Sequence, residues 1–207
     1  IDDFLVDNFN QLYRGRKYYL LDSLDVKIER NLNKIKSDFV KNNVIYRKAA
    51  IQMIVDNDNA KKVVNQYFNK QKVLYSNPAY MDLFQEIFTN YFATRNFNQL
   101  ELEQMLYADY DKFMSYLKEK DVFLAENENL AEIIIAYNLK SMFYEFSEDR
   151  VAILEKLNSI GQNSKNQKNK EIVEDILKQI NRLSFNSDAP DFSLKDKNGN
   201  IVKLSDY

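Results

Sequence analysis

Apolar residues recur three and four positions apart along most of the chain, which is the pattern of helices burying one face. The most regular run follows Ser76-Asn77-Pro78, where Tyr80, Leu83, Phe84, Ile87, Phe88, Tyr91 and Phe92 step without a break. Asn77 suits an N-cap, Pro78 suits the first helical position because its missing N–H is not needed there, and Asp82 and Glu86 fall in the early turns. An aromatic stripe of this kind reads as core before it reads as a ligand pocket.

Upstream, two helical pieces are predicted between Asp2 and Ile28, one through Phe4, Leu5, Phe9, Leu12 and Tyr13, the other through Tyr18 to Leu21, with Gly15 between them. Leu32, Ile35, Phe39, Ile45, Tyr46, Ala49, Ala50, Met53 and Ile54 then make one long helix or two stacked ones, interrupted at Lys41-Asn42-Asn43. Asp56-Asn57-Asp58-Asn59 begins like a calcium loop, but Lys61 stands where the loop needs Gly and Tyr67 where it needs a bidentate Glu. It is read as a cap for a helix burying Val63, Val64, Tyr67 and Phe68.

Downstream, Leu102 to Leu117 predicts a helix punctuated by Tyr107-Ala108-Asp109-Tyr110-Asp111. Between Leu130 and Phe146 both faces are apolar, so this helix is expected at the centre of the core. Ser147, Glu148 and Asp149 read as the next helix start and Gly161 as its stop. Residues 162–170 hold no apolar side chain and read as an exposed, mobile linker, followed by a last helix through Ile172, Val173, Ile176, Leu177, Ile180 and Leu183. The landmarks of tetratricopeptide repeats are missing, which leaves a bundle, an irregular helical array or a loose solenoid of helix pairs.

The last stretch departs from this pattern. Phe192 and Leu194 alternate with Ser193 and Lys195, Asn198-Gly199 favours a type I′ hairpin turn, and Ile201 and Leu204 supply apolar positions beyond it. The fold class is therefore all-α with a short C-terminal β-hairpin. A lone hairpin has no cover for its apolar face, so a division into a helical domain, 1–186, and the opening of a truncated second domain, 187–207, is expected.

Composition agrees with long helices and few turns: three Gly and two Pro in 207 residues, against 45% apolar and 29% charged. The chemistry is bounded by absences. With no Cys and no His there is no thiolate nucleophile, disulfide, zinc site or imidazole base. A net charge of −2 argues against nucleic acid, although Tyr13-Arg14-Gly15-Arg16-Lys17-Tyr18-Tyr19 interleaves cations with tyrosines; that stretch reads as an amphipathic turn with its tyrosines inward. Glu101 with Glu103, Asp109 with Asp111, Glu126 with Glu128, and Glu171 with Glu174 and Asp175 read as solvated surface rather than as catalytic or metal pairs, since helical di-metal sites add His ligands. No catalytic, cofactor-binding or metal residue is assigned within the chain. No apolar run reaches the length of a membrane span and no signal peptide is recognisable; because Ile1 is not Met, an upstream segment is expected to have been removed, by processing or by the choice of ends.

Ala189-Pro190-Asp191-Phe192-Ser193-Leu194, the turn at Asn198-Gly199 and Val202-Lys203-Leu204-Ser205-Asp206-Tyr207 together resemble the opening of TlpA-like thiol–disulfide oxidoreductases and of the related AhpC/TSA-type peroxiredoxins. Asn77-Pro78-Ala79-Tyr80-Met81 followed by Phe84 also looks like the helical segment ahead of the thioredoxin domain in some of these bacterial envelope proteins. The resemblance covers about a tenth of the chain and lacks the Cys-x-x-Cys motif. It implies a thioredoxin-like domain opening at 187, an envelope or periplasmic location, a redox-active Cys-x-x-Cys beyond Tyr207, and a non-catalytic helical part that positions substrate proteins or forms a homodimer. The alternative is a self-contained helical interaction module with the hairpin as a cap.

Overall fold

The computed structural model describes residues 2–15, 17, 19–55, 60–95, 97–182, 192–203 and 205. These form α1 (Asp2–Tyr13), α2 (Tyr19–Leu32), α3 (Asp38–Val55), α4 (Ala60–Tyr67), α5 (Pro78–Phe88), α6 (Tyr91–Thr94), α7 (Gln99–Leu106), α8 (Tyr110–Lys120), α9 (Val122–Glu126), α10 (Glu128–Glu145), α11 (Arg150–Asn163), α12 (Gln167–Arg182), β1 (Ser193–Lys195) and β2 (Ile201–Lys203). The chain is all-α with a C-terminal two-stranded hairpin, as its patterning predicts. No described helix is long and apolar enough to cross a membrane.

Helix α10 is the axis of the array. It packs on α11 and α12 along one side and on α5, α6 and α9 along the other. Leu130, Ala131, Ile133, Ile134, Ile135, Ala136 and Leu139 are all buried, so apolar side chains surround the helix, as expected of one enclosed by neighbours. Helix α3 joins this body, through α5 and through α4 with its buried Val63, Val64 and Tyr67, to α1 and α2 of the N-terminal part. Leu12, Leu24, Ile28, Ile51 and Val55 make a second, smaller apolar cluster there.

The start of α5 follows its sequence signals. Asn77 is extended, its side-chain oxygen accepts the Tyr80 N–H at 3.2 Å, and Pro78 takes the first helical position. Its stripe is core: Tyr80, Leu83, Phe84, Phe88, Tyr91 and Phe92 are buried. Phe88 anchors the aromatic cluster, with ring centroids 5.2 Å from Phe68 and Phe84 and 5.5 Å from Tyr91. The stripe does not lie on one helix, however. Helix α5 ends at Phe88 and α6 begins at Tyr91, because buried Asn138 of α10 donates to the Phe88 carbonyl at 2.8 Å and accepts the Phe92 N–H at 3.2 Å. Those bonds hold backbone groups that a continuous helix would pair internally.

Other boundaries move for comparable reasons. The interruption expected at Lys41-Asn42-Asn43 lies instead between α2 and α3, leaving 41–43 helical. Of the residues 107–111 expected to punctuate a single helix, 107–109 divide α7 from α8, and Asp109 caps α8 by accepting the Lys112 N–H at 2.8 Å. Gly161 does not stop α11, which continues to Asn163. A Cβ at Gly161 would lie 3.3 Å from Cγ1 of Val173, so this glycine lets α12 approach α11 closely. The caps expected from residues 56–59, the apolar position at Leu183 and the joint at 184–188 lie outside the described residues.

Candidate functional site

The sequence-level candidates are absorbed into structure. Glu101 pairs with Lys120 at 2.9 Å and accepts from Tyr116 at 3.0 Å, which holds its carboxyl below the usual range. Glu103 accepts from Gln99, Asp109 serves as the α8 cap, and Glu126 and Glu128 pair with Lys70 at 3.1 Å and Lys118 at 3.5 Å. Glu171 pairs with Lys168 and Asp175 with Lys178 within α12. Among the described residues, no group of three or more acids, His or Cys is arranged to hold a metal ion. In the Tyr13–Tyr19 stretch the inward packing expected of the tyrosines is not found at Tyr13 or Tyr19, which are exposed; Arg16 and Tyr18 lie outside the described residues. Tyr13 stacks on Phe9 at 5.5 Å along the outer face of α1.

Residues 162–170 are not a linker. Only three residues, 164–166, separate α11 from α12. Ser164 and Asn169 are buried, and both donate to Oε2 of Glu132, at 2.5 and 2.6 Å. Asn169 also donates to the Asn129 carbonyl at 2.9 Å and accepts from the Tyr75 hydroxyl at 2.6 Å, which in turn accepts from Asn166 at 2.9 Å. This polar knot ties the start of α10, the α11–α12 turn and the segment before α5. Polar groups at these depths are tolerated because they satisfy one another. Nothing in the sequence pattern marks Glu132, since it sits inside a helix whose apolar residues run all the way round, and the low apolar content of 162–170 points the wrong way.

Two clefts flank the knot and share Glu128 and Asn129 at the start of α10. One, about 660 Å³, is lined by Lys70, Lys72, Tyr75, Asn127, Asn166 and Lys168. The other, about 460 Å³, is lined by Tyr110, Ser115, Lys118, Glu132, Asn163 and Lys165 among others. The Tyr110 hydroxyl there is pushed up to about 12, first by burial and then by the charges of Glu132, Asp111 and Glu128.

The hairpin is antiparallel, with Ser193 opposite Lys203, Leu194 opposite Val202 and Lys195 opposite Ile201. Because side chains alternate across strands, Phe192, Leu194 and Val202 share one face, and Ile201 lies on the other beside Lys195. The turn is not type I′, which needs positive φ at both central residues. Gly199 has φ +86° and Asn198 does not have positive φ. Instead Gly199 N–H bonds the Asp196 carbonyl at 3.0 Å and Asp196 N–H bonds the Asn200 carbonyl at 2.8 Å, the three-residue loop with glycine in the left-handed position. Asp196 selects it: Oδ1 accepts the N–H groups of both Asn198 and Asn200 at 2.8 Å. Phe192 and Leu194 remain 52% and 64% exposed. Leu204 lies outside the described residues. Comparison with family models, with curated proteins and with solved structures returns no match to this chain.

Proposed function

We propose that residues 1–186 are the non-catalytic helical N-terminal domain of a TlpA-like envelope thiol–disulfide oxidoreductase, positioning substrate proteins or dimerising, and that residues 187–207 open its thioredoxin-like domain. The observation that carries this reading is the uncovered apolar face of the hairpin. Alternating strands with Phe192 and Leu194 on one face are built to lie against another layer, and here both side chains stay open to water. The family wording of the same residues supplies the nature of that layer. On this reading the redox step belongs to another part of the protein, because the chain itself has no Cys and no His. The self-contained module would instead require this face to be covered by the helices that precede it.

Insulin reduction tests the proposal, with the full-length gene product assayed beside the 207-residue chain. Turnover is expected in the first and not in the second. Turnover by the shorter chain, or a full-length product that neither reduces insulin nor fractionates with the cell envelope, would overturn it.

A further inference from the structure

Glu132 is 7% exposed, and both of its hydrogen bonds, from Ser164 and Asn169, fall on Oε2. Both donors are neutral. Among the described residues no lysine or arginine forms an ion pair with it; Lys118, on the same cleft, is engaged by Glu128. A recessed carboxylate without an ion pair is costly, because burial removes water from its charge, and exposed Lys165 on the same cleft forms no ion pair with it. The side chain lines the 460 Å³ cleft, and Oε1, which takes neither of these hydrogen bonds, is not sealed from solvent.

We propose that this cleft binds a primary ammonium group, with Glu132 Oε1 as its charged acceptor. The pattern of donors already present selects this chemistry. A guanidinium is best held by both oxygens of a carboxylate at once, and Oε2 here already accepts twice. A hard divalent cation needs several oxygen ligands, and no metal-holding group of acids occurs among the described residues. An ammonium is a compact charge with three N–H donors. Ser115, Asn129 and Asn163 line the same cleft and offer neutral oxygens, and the Tyr110 ring offers a face for the attached carbon chain. The group has two sources, a lysine side chain of a partner protein or a free aliphatic amine, and the chemistry at Glu132 is the same for both. This inference does not depend on the redox reading, because binding of a small amine requires no thiol.

Calorimetric titration of the 207-residue chain with n-butylammonium, n-propylguanidinium and tetramethylammonium chlorides tests it. Saturable binding of the first is expected, at least about tenfold tighter than that of either other cation. Glu132→Gln keeps an oxygen to accept from Ser164 and Asn169 while removing the charge, and it should weaken butylammonium binding by about tenfold or more with the melting curve retained. Lys165→Gln removes a like charge from the rim and should tighten binding, which keeps the test decisive if the first variant folds poorly. Two further ligands separate the sources: tighter binding of Nα-acetyl-lysine methylamide than of spermidine identifies a protein side chain, and the reverse order identifies a free amine. No saturable binding by the unmodified chain, equal binding of all three cations, or affinities unmoved by both substitutions would overturn the proposal.

Discussion

Asn138 donates from its side-chain nitrogen to the carbonyl oxygen of Phe88, 2.8 Å away and fifty residues earlier in the chain. The same amide accepts the Phe92 N–H and also donates to the Ile134 carbonyl, so one buried side chain holds both ends of the α5–α6 break. Replacing it by Leu keeps the volume roughly and removes every partner. Asn138→Leu is therefore expected to destabilise the fold by about 2–4 kcal/mol, since two buried backbone groups lose their bonds. Urea unfolding checks this: the midpoint should fall with little change in slope.

That relationship marks where sequence reasoning stops. Asn77 and Pro78 announce a helix start because capping is local, and the α5 stripe announces a buried face because periodicity is local. Asn138 and Glu132 announce nothing, since their partners lie 32 to 50 residues away and a polar residue in an apolar helix gives no hint of what it meets. The turn at Asn198-Gly199 was half legible. The pair fixed the position of the reversal, while the Asp196 carboxylate two residues earlier decided its type. Gly161 misleads for the same reason as Asn138: a glycine that lets two helices touch has the same spelling as one that ends a helix.

Helix packing at Gly161 gives a prediction with two signs. Gly161→Ala removes a helix-interior glycine, a gain of about 1 kcal/mol in propensity, but puts a Cβ 3.3 Å from the Val173 side chain. The two effects oppose each other, and the net change in unfolding free energy is expected near zero. Gly161→Val adds bulk that the α11–α12 contact has no room for, at a cost of about 1–3 kcal/mol. Thermal unfolding of the two variants side by side checks the ordering.

Alkaline pH should unfold this protein through its buried tyrosines. Tyr46 donates to the Tyr67 carbonyl at 2.9 Å, and its hydroxyl is pushed up to about 12, mainly by burial and secondarily by Tyr67. The folded state thus keeps a proton that the unfolded chain loses near pH 10. This contribution is fully present below about pH 10 and disappears as pH rises towards 12. Tyr110 and Tyr116, each also raised to about 12 and led by burial, act in the same direction. Tyr46→Phe should give a shallower decline between pH 10 and 12 while costing about 1 kcal/mol at neutrality for the lost hydrogen bond. Denaturant midpoints measured across that range, with tyrosinate absorbance followed in parallel, check both halves.

The hairpin should depend on Asp196 more than on its strands. Of its apolar cross-strand pair, Leu194 is exposed and Val202 only half-buried, so the turn carries the pairing. Asp196 accepts from the backbone N–H groups of Asn200 and Asn198, and these bonds, the Asn200 one first, hold its carboxyl below the ordinary range. A depressed carboxylate contributes above its unfolded value and loses that contribution as pH falls through the folded one, so the turn should loosen only below about pH 4. Asp196→Ala should have the same effect at neutral pH, abolishing the cross-strand nuclear Overhauser contacts between Leu194 and Val202 while leaving the helical resonances in place. Persistence of those contacts in the variant would mean that something other than the turn holds the strands together, and with it the face that the proposed second layer would need to cover.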